Sequence, residues 1–187
     1  MDAITALHQR VSSPRLTVPA PTDKQLDILF RAAGRAADHG NMRPWRFVVV
    51  EEEGLTRLGD LFVQAATTQN PEITAPEIER LMSMPKRAPM IILAIAKRQP
   101  NPKVPDVEQI IAAGAATQNL LNAAFALGIG AVWRTGDMAY HPLVKQALGV
   151  QKNEELIGFI YIGTPTTPPP QPREQNPEDF FSRWPSE

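Results

Sequence analysis

The chain contains three continuous apolar runs, separated by stretches in which apolar residues recur at helical spacing. The runs lie within the predicted strands at 46–50, 90–96 and 156–163, and polar residues, glycine or proline bound each of them. Such runs are typical of strands that are covered on both faces. They predict a buried sheet in which the strand at 46–50 lies beside the strand at 90–96. A shorter strand is predicted within 131–136.

Helices are predicted where apolar residues recur every three or four positions. Two of these predictions gain support from capping boxes, because Thr22 is followed by Gln25 and Thr74 by Glu77 at the spacing that caps a helix start. The predicted helices lie at 2–9, 22–37, 55–62, 74–84 and 106–127, with a short one near residue 141.

The predicted helix at 106–127 is apolar on nearly every side. It should therefore be buried all round, as a core helix or as a helix shared across a dimer interface. Gln118, Asn119 and Asn122 lie in its middle, and no anchoring pattern flanks it. These features argue against a membrane-spanning helix.

Composition narrows the class of protein. With 187 residues, 43% of them hydrophobic, the chain fits a single domain over 1–187, in which 164–187 form a proline-rich tail. The formal net charge of −1 offers no basic surface, so we expect a small-molecule partner, with no nucleic acid and no membrane. The start of the sequence lacks a signal-peptide pattern, which predicts a cytoplasmic protein.

The usual catalytic signatures are missing from the sequence. Cysteine is absent, which excludes disulfides, thiolate metal sites, iron–sulfur clusters and a cysteine nucleophile. There is no glycine-rich P-loop, G-x-G-x-x-G turn, H-E-x-x-H helix or G-x-S-x-G elbow. His8, His39 and His141 are widely separated, which argues against a metal site. Any redox chemistry must come from a cofactor, and we predict no catalytic side chain.

Three polar loops are the candidate binding segments, because loops on a rigid scaffold commonly carry function. In one of them, Gly40 and Asn41 tolerate unusual backbone angles, and Pro44 should hold Arg43 extended. The three segments are the N-terminal loop at 10–15, the central loop at 38–45 and the third loop at 128–136.

Together, the three loops resemble the flavin-binding segments of the nitroreductase family, FMN-dependent enzymes that oxidise NAD(P)H. Arg10-Val11-Ser12 is similar to the family's Arg-x-Ser signature, and Asn41-Met42-Arg43-Pro44-Trp45 to its Asn-x-Gln-Pro-Trp loop. The third loop resembles the segment that enters the flavin pocket. Asp38-His39 with Trp133-Arg134-Thr135 is closer still to the small YdjA-like branch.

The resemblance implies an α+β fold, with a central, mainly antiparallel sheet flanked by helices, in a homodimer with two FMN sites at the interface. It also implies an oxidoreductase with NAD(P)H as electron donor. Hydride would pass to flavin N5, and a nitroaromatic, quinone or similar acceptor would then enter the same place by a ping-pong route. The positions that match cofactor-binding residues of the family are Arg10, Val11, Ser12, Arg35, His39, Asn41, Trp133, Arg134 and Thr135.

Physical chemistry agrees with several of these roles and offers alternatives. Arg10 can bond phosphate oxygens bidentately and Ser12 can add a hydroxyl bond. Alternatively, Arg10 and Arg35 each cap the C-terminal end of a helix. The Asn41 amide carries the donor and acceptor that the flavin pyrimidine needs, or it only holds a turn.

The remaining candidates also have two interpretations. His39 contacts the cofactor, or it is an exposed loop histidine. Trp133 is a pocket residue or a core aromatic, and its polar neighbours Arg134 and Thr135 favour a pocket. Trp45 is assigned to the core, since a large ring at a strand entrance usually packs beneath its loop.

Two departures from the family pattern affect the charge near flavin N1. Val11 and Pro14 stand where the family often carries basic residues, and Arg43 replaces the usual glutamine. We hypothesise that Arg43 or Arg15 supplies the displaced charge. Other possible functions are an FMN-binding storage or sensing protein with negligible turnover, a relative that performs reductive dehalogenation or flavin fragmentation, and a structural protein.

Overall fold

The computed structural model describes residues 1–185, and its centre is a five-stranded sheet. The longest strand, β5, pairs with β3 along one edge, and β3 pairs with β2. The other edge of β5 pairs with β4 and, at the C-terminal end of β5, with β1. The strands are β1 (Leu16–Thr17), β2 (Trp45–Glu51), β3 (Met90–Lys97), β4 (Gly130–Arg134) and β5 (Glu154–Pro165).

Every strand pairing in the described part of the chain is antiparallel. Helices cover both faces of the sheet, α2 and α5 one face and α3, α4, α6 and α7 the other. The predicted α+β class is therefore confirmed. The helices are α1 (Ala3–Gln9), α2 (Asp23–Ala33), α3 (Glu53–Gln69), α4 (Ala75–Ser83), α5 (Asp106–Ala126), α6 (Asp137–Tyr140) and α7 (Pro142–Ala147).

The continuous apolar runs arise because the central strands are buried on both sides. In β5, Ile160 and Ile162 pack toward α2 and α5, whereas Phe159 and Tyr161 pack toward α3. β3 is buried from Met90 to Ala96. The prediction of a buried strand at 46–50 needs correction, because β2 is the edge strand and its residues are only half-buried.

Two local predictions are wrong. The helix predicted to reach Ala37 ends at Ala33, because Gly34 follows and the Arg35 N–H donates to the carbonyl of Ala32, three residues back. Arg43 is not extended and has a φ of +48°. Its N–H donates to an Asp38 carboxylate oxygen at 2.5 Å, so a side-chain bond within the central loop overrides the preference that Pro44 imposes.

The helix at 106–127 is found as α5, but it is not buried all round. Ala116 and Leu120 pack in the core, whereas Val107 and Ile111 are 60% and 65% exposed. Within residues 1–185, neither α5 nor any other helix has the length and apolar character needed to cross a bilayer.

The ends of other elements also differ from prediction. α6 was not predicted, since four residues give no period to detect. β5 runs to Pro165, two residues into the predicted tail, because Thr164 and Pro165 pair with β1. The last two residues of that tail, 186 and 187, lie outside the described part of the chain. A single domain over 1–187 stays a prediction.

A buried ion pair ties β2 to the start of β5. Arg46 donates from Nε and Nη2 to the two carboxylate oxygens of Glu154, at 2.8 and 2.7 Å. The Glu154 side chain is only 4% exposed, and it also accepts a bond from the Gln151 N–H. The hydrogen bonds from Arg46 hold the pKa of Glu154 below its ordinary value.

We expect Glu154→Gln to lower the free energy of unfolding by about 2 kcal/mol, the typical value of hydrogen bonds to a charged group. The stabilisation from this carboxylate is present above its unfolded pKa and is lost as the pH falls through the lower folded-state pKa. The variant should therefore lose less stability in acid than the parent. Urea unfolding at several pH values measures both effects.

The matched control is Glu53→Gln, which removes the exposed i,i+4 partner of Arg57. Exposed pairs of this kind contribute about 0.3–0.5 kcal/mol. Equal losses in the two variants would show that the Arg46–Glu154 pair has no special importance.

Candidate functional site

The N-terminal loop is fixed against the start of β4. α1 ends where the Arg10 N–H donates to the Ala6 carbonyl, and the chain then turns so that the Ser13 N–H donates to the Ala131 carbonyl at 2.9 Å. The packing is close, since a Cβ built on Gly130 would lie 2.5 Å from Leu16 Cδ2. The loop therefore has a defined position at one end of β4.

This loop presents donors that the fold does not use. Among residues 1–185, the guanidinium groups of Arg10 and Arg15 make no ion pair, and the Ser12 hydroxyl makes no hydrogen bond and is exposed. Arg10 stands at the end of α1, as the capping interpretation requires, but only its backbone caps the helix. Guanidinium and hydroxyl groups in one loop can bind an anion such as a phosphate.

The other end of β4 carries Trp133 and two polar residues. The Trp133 ring has a structural role, because its Nε1 donates a hydrogen bond to the Ile157 carbonyl at 2.9 Å. The ring also occupies the space beside Gly158, where a built Cβ would lie 2.0 Å from Nε1. The ring therefore packs against the fold as the core interpretation expects, and Trp133 also lines a cavity beneath the end of β4. Arg134 is half-buried and Thr135 is exposed.

The backbone of Trp133 has a different environment from its ring. The Ala131 carbonyl faces away from β5, since it accepts the bond from Ser13. In an antiparallel pair, the N–H and C=O of every second residue face the same edge, so those of Trp133 face outward too. No strand pairs with this edge within residues 1–185. A planar molecule with polar edges could bond here.

Gly136 leaves open space at the end of this edge. Its φ of +68° and ψ of −179° form a conformation that is essentially restricted to glycine. A built Cβ would meet no atom within 4 Å. Gly136 thus allows a ligand to approach the backbone. The sequence placed it in the third loop without giving it a role, because one glycine among several carries no distinguishing signal.

The central loop is strained and firmly held. Gly40, Asn41 and Arg43 all have positive φ, at +71°, +57° and +48°. The Gln99 side chain donates to the Met42 carbonyl at 2.9 Å. His39 is exposed but not unpartnered, because its Nδ1 lies 2.6 Å from an oxygen of Glu108 on α5.

The fold brings together only some of the predicted site residues. Arg10, Val11 and Ser12 precede the residue bonded to the start of β4, and Trp133, Arg134 and Thr135 lie at its end. The central loop adjoins β2 on the opposite edge of the sheet. Three strand spacings separate β2 from β4, which is roughly 14 Å. Within one chain, His39 and Asn41 therefore lie apart from the other candidates, and the exposed Arg35 follows α2.

Comparison with known proteins gives a consistent result. Residues 8–164 match the nitroreductase family. YdjA of Escherichia coli K12, which is named as an NAD(P)H nitroreductase, is 41% identical over 165 residues, covering 88% of this chain and 89% of its own.

Solved structures share the fold. A nitroreductase-like protein from Bacillus cereus has a TM-score of 0.86 at 22% identity, covering 100% of this chain and 97% of its own. A nitroreductase from Desulfovibrio desulfuricans in complex with FMN has a TM-score of 0.72 at 26% identity, covering 98% and 97%. The family match covers residues 8–164, and YdjA is a relative that is similar over most of both chains. The chain belongs to the nitroreductase family.

Proposed function

We propose that the protein is a cytoplasmic, FMN-dependent oxidoreductase that takes electrons from NAD(P)H and passes them to a nitroaromatic, quinone or similar acceptor by a ping-pong route. One observation carries the proposal: two groups of unused donors lie at the two ends of β4, whose outer edge is open. The names of YdjA and the FMN complex from Desulfovibrio desulfuricans support the same activity and cofactor.

The residues present fit FMN at both ends. Its phosphate needs cationic and hydroxyl donors, which Arg10 and Ser12 supply, with the Val11 backbone between them. Its ring needs donors and acceptors along a flat edge, which the Trp133 backbone and the Thr135 hydroxyl offer. Arg134 adds a cation at the same end. The open space at Gly136 permits close approach.

FMN supplies two-electron transfer when bound, so the chain's own residues need to bind and orient rather than react. Arg10 and Ser12 would anchor the phosphate. The Trp133 backbone and Thr135 would fix the plane and rotation of the ring, which sets the alignment of donor and acceptor. No side chain is required as a general acid or base for hydride transfer.

We further propose that a second copy completes each site. Arg35, His39 and Asn41 match cofactor-binding positions of the family, but the sheet separates His39 and Asn41 from β4 within one chain. An exposed apolar surface supports pairing, because α1 and α5 expose Ile4, Leu7, Val107 and Ile111 at 56–65%. In such a dimer, the central loop of one copy would face β4 of its partner.

For the cation near flavin N1, Arg15 and Arg43 both stay predictions, because neither lies at the end of β4 that would hold the ring. Arg15 lies in the N-terminal loop beside β4, and its carbonyl is held by a bond from the Thr166 N–H at 3.1 Å. Arg43 lies in the central loop and would reach the site only from the second copy.

The purified protein should show an oxidised flavin spectrum that is bleached by NADH or NADPH without oxygen. Absorbance during anaerobic titration with each donor measures this and ranks the donors. A spectrum that stays yellow with both would favour a storage or sensing role. A colourless protein that cannot be reconstituted with FMN would contradict the proposal.

Arg10→Ala should raise the Kd for FMN by roughly 10- to 100-fold, because it removes charge-assisted bonds of about 1.5–3 kcal/mol. Ser12→Ala should have a smaller effect of the same sign. Flavin fluorescence titration measures the Kd, and the melting temperature of the apoprotein should be unchanged. Arg31→Ala is the control, since Arg31 is an exposed arginine whose ion-pair partner is the exposed Asp27 on its own helix. Equal Kd values in Arg10→Ala and this control would refute the phosphate role.

A shared site predicts complementation between two defective variants. Arg10→Ala and Asn41→Gly should each bind FMN weakly as homodimers. Glycine is chosen at 41 because the φ there is +57°. In a mixed dimer, one site carries both changes and the other carries neither, so FMN binding should recover to half of the sites. If each site lay within one chain, mixing would restore nothing.

A further inference from the structure

A cavity of about 390 Å³ lies on the α3 side of the sheet, beneath the end of β4. This volume falls in the lower part of the range for small-molecule sites and suits a molecule of one ring. Its apolar lining comes from segments distant in the sequence, namely Phe62, Met84, Met138 and Phe159.

Two cations also line this cavity. The Arg134 guanidinium lies over the ring of Tyr161, 5.8 Å from its centroid, and Arg87 lines the same cavity as Tyr161. Neither arginine makes an ion pair within residues 1–185. Cations beside an apolar cavity, with no carboxylate to neutralise them, favour an anionic ligand group.

Tyr161 provides a neutral donor in the same place. Tyr161 as a whole is 3% exposed, and its hydroxyl makes no hydrogen bond to the described residues. Burial raises the pKa of Tyr161 despite the two arginines, so the hydroxyl stays protonated at neutral pH. The hydroxyl is not fully enclosed by the protein, so it can donate to a ligand in the cavity.

We propose that this cavity is the acceptor site, and that the acceptor is an aromatic molecule that carries an anionic group such as a carboxylate. Arg87 and Arg134 hold the anionic group, Tyr161 donates a hydrogen bond, and the apolar walls contain the ring. The segment Arg134-Thr135-Gly136 borders both the cavity and the open edge of β4, so an acceptor here adjoins the proposed flavin ring. This inference rests on the proposed function.

The test compares 4-nitrobenzoate with its uncharged methyl ester as acceptors of the holoenzyme. Reduction of the nitro group to nitroso takes two electrons and two protons and releases water, with one hydride from NAD(P)H and one proton from solvent. The parent protein should show a kcat/KM for 4-nitrobenzoate roughly 10-fold above that for the ester, the effect of one charge-assisted bond. Equal values would overturn the inference.

Arg87→Gln should remove this discrimination, and Arg87→Lys should restore part of it. Arg57→Gln is the control, because Arg57 is also exposed but pairs with Glu53 on α3 and lines no part of this cavity. Tyr161→Phe should weaken binding of both acceptors through the lost donor. A discrimination that survives in Arg87→Gln would overturn the inference.

Binding measured without turnover separates this inference from the proposed function. Calorimetric titration of the oxidised holoprotein with 4-nitrobenzoate should give a Kd that rises roughly 10-fold in Arg87→Gln and is unchanged in Arg57→Gln. If NAD(P)H is not oxidised with either acceptor, the proposed function fails, and this titration still decides the cavity's ligand class. If turnover occurs but Arg87→Gln binds like the parent, only the inference about the cavity fails.

Discussion

The positions of the other elements depend on β5, because other strands pair with both of its edges. One edge pairs with β3 over most of its length, while the other holds β4 and then β1. Two glycines permit this arrangement. The Trp133 ring fills the side-chain space at Gly158, and Pro89 with the Thr17 carbonyl fills it at Gly163. A side chain at either position would push a neighbouring segment away from the strand.

Because β5 is shared in this way, β4 becomes an edge strand with unpaired backbone groups. Open strand edges are prone to unwanted pairing, and proteins limit the risk by keeping them short or covering them. Here β4 has five residues, and the N-terminal loop covers its start through Ser13. The uncovered part begins at Trp133 and ends at the open corner of Gly136. This uncovered edge is the surface that we propose for the cofactor.

The sequence was most informative where local chemistry determines structure. The capping boxes at Thr22 and Thr74, the buried strand β3 and the bounds of α5 all follow from spacing and composition. It failed where one particular side-chain bond decides the backbone conformation, as at Arg43, whose N–H donates to the Asp38 carboxylate. The candidate loops followed from their polar, glycine and proline residues, and their cofactor roles followed from resemblance to a family. The cavity was not predictable. Arg87 and Tyr161 lie in unrelated segments that only the fold brings together.

The strain in the central loop bears on how the site is completed. Asn41 and Arg43 both adopt positive φ, which costs about 1–3 kcal/mol for each residue. The bonds from Asp38, Gln99 and Glu108 hold the loop in this shape, although β4 lies across the sheet from it. Within one chain, the candidate cofactor-binding residues on β4 do not face this rigid loop, because they lie across the sheet from it. A partner copy that places its β4 opposite the loop would give the strain a function, since a preformed loop loses little freedom when it binds.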